Sequence, residues 1–168
     1  MAKMLLRTTI NGEETELLVQ PYQTLLEALR ESAGLTGAKE GCGTGDCGAC
    51  TVQLDGKPVA SCLVLAMQAR DRNVRTVEGL ASADGSLHPV QEMFVKHGVP
   101  QCGFCIPGMI MSASALLEET PAPSEEDAHY DARWGYRSFD ARRYEQRRYG
   151  GVVRQLNHRM LERALAKG

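Results

Sequence analysis

An export signal, a membrane span and a strong charge of either sign are all missing from this sequence. The N-terminus, MAKMLLRTTINGEE, returns to charged residues before an apolar stretch of signal-peptide length has formed. No run approaches the roughly 18 consecutive apolar residues of a transmembrane helix. A net charge of −2 gives no electrostatic case for nucleic acid or an anionic membrane surface. The four histidines and scattered carboxylates form no recognisable catalytic set, so no substrate site is expected on this chain. What remains is ordinary globular composition, 43% hydrophobic and 24% charged over 168 residues, enough for one domain or two small ones. A cytoplasmic protein is expected.

Against that background the six cysteines stand out. Five sit in short-spaced groups, three in GCGTGDCGAC and two in QCGFC. Clustered thiols in a chain with no export signal read as metal ligands or redox groups rather than as a disulfide framework. From Cys42 the spacing is C-x4-C-x2-C-x11-C, through Cys47 and Cys50 to Cys62. The ligands of a plant-type [2Fe–2S] cluster follow the order C-x4-C-x2-C with a distant fourth cysteine. Four thiolates offset most of the charge of two ferric ions. Gly41, Gly43, Gly45 and Gly48 let a loop wrap closely and turn its amides towards sulfur. Zinc is the competing occupant, but it favours two C-x2–4-C knuckles and only Cys47 and Cys50 make one.

Cys102 and Cys105 form a second C-x2-C. Two thiols are half of what a cluster or a zinc ion needs. They also fit a redox dithiol, although no βαβ pattern surrounds them. With Pro107 close behind, the pair falls at a helix N-terminus, where the dipole favours negative charge.

The elements predicted around these motifs are α+β. Strands are expected at 4–10 and 15–20 across an Asn11-Gly12 turn, then a helix from Thr24 to Gly34. After the cysteine loop come strands 51–54 and 58–60 across Asp55-Gly56, and a last strand at 74–77. Two hairpins, a helix and a closing strand suggest a β-grasp domain of plant-type ferredoxin form over residues 1–78. From 79 the character turns helical. HPVQEMFVKHG carries a Val90, Met93, Phe94 stripe, and GMIMSASALLEE opens at Pro107 with a Met109–Leu117 stripe read as core. Pro121-Ala122-Pro123 reads as a linker and Ser124 as a helix start. Residues 128–150 are dense in arginine and tyrosine and poor in periodicity, and 152–166 recover a helical pattern.

EGCGTGDCGACTVQLDGKPVASC followed by QCGFCIPGM resembles the small iron–sulfur subunit of the molybdenum hydroxylases, the xanthine dehydrogenase, carbon monoxide dehydrogenase and aldehyde oxidoreductase family. The resemblance covers about residues 3–126. It implies a ferredoxin-like domain followed by a C-terminal helical bundle, residues 79–168, each with one [2Fe–2S] cluster. It also implies electron transfer from molybdopterin on a large subunit to FAD on a medium subunit, in a dimer of heterotrimers. Carried over position by position, Cys42, Cys47, Cys50 and Cys62 match the ligands of the first cluster. Cys102 and Cys105 match two ligands of the second, and Gln101 a position beside the pterin.

One departure follows. The family completes its second cluster with a C-x-C pair in a GN-x-CRCTGY segment, and no cysteine follows Cys105 here. By family spacing the pair would fall near Arg137 and Phe139, neither of which ligates iron. Three readings stay open: a local reading-frame disturbance, a real loss of the second cluster, or a changed site completed by His129, His158 or a partner chain. Two rival functions also stand beside the subunit reading. One is a free electron carrier, for which −2 is a weak steering charge; the other is a zinc-stabilised interaction module.

Overall fold

Strand β1 (Met4–Ile10) turns at Asn11-Gly12 into β2 (Glu13–Val19), the register running from Met4↔Val19 to Ile10↔Glu13. The turn holds because Asn11 (φ 53°) and Gly12 (φ 89°) both adopt the left-handed region that a two-residue hairpin demands. Pairing therefore begins at Glu13, two residues earlier than the sequence pattern suggests. The coordinates are a computed structural model that describes residues 2–96 and 102–121. Gln101, the helix end at Gly98, the helix start at Ser124, the segments 128–150 and 152–166, and His129, Arg137, Phe139 and His158 lie outside the described residues.

Thr24 caps α1 (Leu25–Glu27), its hydroxyl accepting from the Glu27 amide while the Glu27 carboxylate accepts from the Thr24 amide at 2.7 Å. The helix widens into a π-type turn over Ala28–Ser32, where the Ala33 amide reaches the Ala28 carbonyl at 3.0 Å. Gly34 (φ 72°) ends it. Leu25, Leu26 and Leu29 bury against Leu6, Val19, Val52 and Val74 on one face of the sheet, forming the larger core.

Strands β3 (Thr51–Leu54) and β4 (Lys57–Ala60) form the second hairpin, turning at Asp55 (φ 51°) and Gly56 (φ 79°). β5 (Asn73–Arg75) lies between β1 and β3, parallel to the first and antiparallel to the second. The sheet order is β2-β1-β5-β3-β4, a mixed sheet. β5 stops at Arg75 rather than Val77 because the Asn11 side chain captures the Thr76 amide at 2.8 Å. Val77–Gly79 then winds into a 3₁₀ turn.

All four β3 residues are buried, which requires cover on both faces. Val52 and Leu54 face the α1 core, and the alternate residue Gln53 faces a second layer. That layer is α2 (Pro89–Lys96) and α3 (Ile106–Glu119), which share a smaller core of Leu80, Val90, Phe94, Ile110 and Met111. Gln53, 1% exposed, donates to Ser114 Oγ at 3.0 Å and joins sheet to helix with a satisfied buried amide. Gly108 brings α3 down onto the cysteine loop. A Cβ there would stand 3.2 Å from Ala49 Cα and collide with the Gly48 carbonyl oxygen.

Gly108→Ala is expected to force helix and loop apart and cost about 1–3 kcal/mol, the usual range for overpacking. Urea unfolding measures it. An unchanged midpoint would mean that the helix does not bear on the loop.

Candidate metal centre

The loop that carries the first three cysteines is closed at its base before any metal enters. Lys39 donates its amide to the Ala49 carbonyl at 3.0 Å, and Arg30 Nη1 holds the Thr36 and Ala38 carbonyls at 2.8 and 2.7 Å. At the far end Thr51 donates both its amide (3.0 Å) and its hydroxyl (2.8 Å) to the Gly48 carbonyl. Between these anchors Gly43, Gly45 and Gly48 have φ of 68°, 80° and 66°, a conformation that costs other residues roughly 1 kcal/mol or more. Gly41 is required for room, since a Cβ there would lie 2.7 Å from Cys47 Sγ.

The eleven residues between Cys50 and Cys62 are explained by the hairpin. Thr51 pairs with Ala60, so Cys50 runs into β3 as Cys62 leaves β4. Ser61 fastens the junction, its hydroxyl donating to the Cys50 carbonyl at 2.6 Å. The Cys50 and Cys62 sulfurs come to 3.4 Å, close to the spacing of about 3.8 Å that two thiolates take on one tetrahedral metal at 2.3 Å. On the other side Cys42 and Cys47 are neighbours, the Cys47 amide donating to Cys42 Sγ at 3.4 Å.

The electrostatics link the two pairs. Burial first, then hydrogen bonding and charge from Cys42 and the charge of Cys50, raise the Cys47 thiol. Burial, with Cys50 and Cys42 adding to it, pushes the Cys62 thiol up to about 12. Each of these two groups feels the charge of sulfurs in both pairs. Sulfurs paired two and two, Cys42 with Cys47 and Cys50 with Cys62, suit a two-iron cluster, in which each iron takes two thiolates.

Cys42 goes the other way. The Thr44 side chain, the Thr44 amide and the Cys47 amide donate to its sulfur and hold its thiol down at about 6. The Thr44 hydroxyl also reaches Asp46 Oδ2 at 2.7 Å and has one proton to give, so the two amides are the donors that cannot be diverted. Amides aimed at sulfur stabilise negative charge there, which is the environment a cluster needs.

Cys102 and Cys105 lie apart in sequence from these four and just ahead of a helix that meets their loop. Cys105 caps α3, with Pro107 in the first turn as the sequence suggests, and Gly103 between the pair has φ 75°. Cys102 is exposed. Through Gly108 and Gly48, the start of α3 abuts the loop that carries Cys47 and Cys50.

Comparison with known proteins returns two matches to family models. Residues 8–81 match a 2Fe-2S iron-sulfur cluster binding domain and residues 76–133 a [2Fe-2S] binding domain. The chain is 45% identical over 127 residues to the nicotinate dehydrogenase small FeS subunit of Eubacterium barkeri, covering 76% of this chain and 80% of that one. It is 48% identical over 118 residues to the nicotine 6-hydroxylase small subunit of Paenarthrobacter nicotinovorans, 70% of each. Among solved structures, quinoline 2-oxidoreductase from Pseudomonas putida 86 superposes with a TM-score of 0.83 at 36% identity. That match covers 100% of this chain and 99% of the other. The ferredoxin-like fold of the first part is thereby established.

In the cluster-free chain, iodoacetamide labelling of Cys42 should rise through a titration near pH 6, because its thiol is held down and the thiolate forms above that value. Cys62, pushed up to about 12, should stay protonated and slow through the neutral range. Peptide mass spectrometry reads both. Equal labelling at pH 7 would contradict the arrangement of amides described here.

Proposed function

The chain belongs to the small iron–sulfur subunits of the molybdenum hydroxylase family, and we propose that it relays electrons from molybdopterin on a large subunit to FAD on a medium subunit. The observation that supports the reading is the pairing of Cys42 with Cys47 in the glycine loop and of Cys50 with Cys62 across the hairpin. These four are proposed as the ligands of a [2Fe–2S] cluster. When bound, such a cluster supplies a site that accepts and gives up one electron at a time.

The chain's own residues do the rest. The Thr44 and Cys47 amides stabilise charge on Cys42 sulfur, and so favour the reduced state. The β3–β4 hairpin fixes Cys50 against Cys62, and the Lys39–Ala49 and Thr51–Gly48 bonds limit how far the loop moves between charge states. Less movement means less reorganisation for each electron. Leu63 packs against Gly45, where a Cβ would lie 2.5 Å from its Cδ1, yet it remains 59% exposed. With Leu65, 43% exposed, it gives the loop an uncharged rim that suits coverage by another subunit.

By family position, Gln101 is proposed to stand beside the pterin. The chain is proposed to divide into a ferredoxin-like domain, 1–78, and a helical [2Fe–2S]-type domain completing a bundle, 79–168. A dimer of heterotrimers and a cytoplasmic location complete the proposal. Support for the location is the clustering of the cysteines in short-spaced groups. Among the described residues no helix is long and apolar enough to cross a membrane.

The purified chain should be red-brown, with iron, acid-labile sulfide and a ferredoxin-type signal on reduction. Cys47→Ser should abolish that signal and loosen residues 38–65, whose loop buries little apolar surface of its own. Large and medium subunits should co-purify from the native source. A colourless protein with stoichiometric zinc, or a monomer without partners, would sink the reading.

A further inference from the structure

The second matched region is described as a [2Fe-2S] binding domain, yet it contains two cysteines, Cys102 and Cys105, and residues 106–168 contain none. A [2Fe–2S] cluster takes four protein ligands, thiolates or, in one variant, two histidines in place of two thiolates. The first four cysteines of this chain are already paired with one another, the Cys47 amide on Cys42 Sγ at 3.4 Å and Cys50 Sγ at 3.4 Å from Cys62 Sγ across the hairpin. None of them can serve a second site.

Histidine does not fill the gap among the described residues. His88 is the one histidine they include. Its Nδ1 accepts from the Val90 amide at 3.3 Å, and its charged neighbours are Arg75 and Glu118. Glu118 lies near the C-terminal end of α3, and Cys105 caps the N-terminal end. At 1.5 Å per residue the helix separates them by about 20 Å. The other three histidines, His97, His129 and His158, lie outside the described residues.

Nor does the fold need iron at this point. Helix α3 is held by Gln53 on Ser114, by Gly108 against Gly48, and by Ile110 and Met111 in the core shared with Val90 and Phe94. These contacts fix the helix along its length, independently of anything bound at its first turn. A cluster could be lost from the pair without losing the packing that positions the pair.

We infer that this chain holds a single [2Fe–2S] cluster, on Cys42, Cys47, Cys50 and Cys62, and that Cys102 and Cys105 are a dithiol without iron. The inference rests on the functional reading above and narrows it: the relay has one station on this chain. Cys102, exposed, is then a free surface thiol rather than a ligand.

Iron and acid-labile sulfide, counted per chain on the full-length protein, test this together with a Cys102→Ser/Cys105→Ser double variant. The expected result is two irons and two sulfides, unchanged in the double variant and with the same reduced signal. Four irons, or iron that falls when the pair is replaced, would overturn the inference and leave the electron-transfer reading standing. A chain without iron would overturn both.

Discussion

Four sulfurs have to be brought around one space by a chain that gains little from burying them. Thiols repel as they ionise, and the backbone that encloses them must turn its amides inward with no regular hydrogen-bond ladder to rest on. The left-handed φ values at Gly43, Gly45 and Gly48 are the local answer. They are affordable because the loop is tied at both ends, at Ala49 by Lys39 and at Gly48 by Thr51, and because α3 presses on it through Gly108. Sheet, hairpin and helix can all be understood as ways of holding these ends still.

The same geometry divides the thiols electrostatically. Cys42, at the amide-lined side, is held down at about 6, whereas burial and neighbouring sulfurs push Cys62 up to about 12. One side of the site is prepared for negative charge, and the other becomes charged only when a metal takes the place of its proton. Assembly therefore releases protons and is coupled to pH. Ionising the four thiols without metal would be resisted most strongly at the hairpin end, where the hydrophobic core begins.

Much of this was legible in the sequence, and the reasons differ by element. Asn11-Gly12 and Asp55-Gly56 announced their turns because only a few residues accept two successive positive φ values, and both hairpins formed there. Thr24 announced the helix start, and the structure adds Glu27 as its capping-box partner. The end of β5 was not legible, because it is set by a side chain 65 residues away, Asn11 capturing Thr76. The π-type turn after α1 and the 3₁₀ turns at Ser61–Leu63 and Ala66–Ala69 leave no periodic trace of their own. At the site, the spacing and glycine density pointed to the four thiols. What spacing could not reveal was Gln53, a polar residue in a strand buried on both faces. A glutamine amid apolar neighbours was the available signal, and only the α3 layer gives it meaning. Gly108 was likewise hidden, since a glycine early in a helix looks like a weak helix former until the Gly48 carbonyl is seen beneath it.

The family relation extends across both matched regions, but its two halves stand differently in this chain. The first has four thiols placed by loop and hairpin, and the second has two, just ahead of a helix held by its core packing and by the Gln53–Ser114 hydrogen bond. The central claim is that iron in this protein is bound by the four thiols of loop and hairpin as a sulfur-only, two-iron centre. X-ray absorption at the iron edge of the purified chain tests it most directly. The account predicts four sulfur neighbours on each iron and one iron neighbour beyond them. Nitrogen or oxygen ligands in the first shell, or an iron with no iron neighbour, would contradict it.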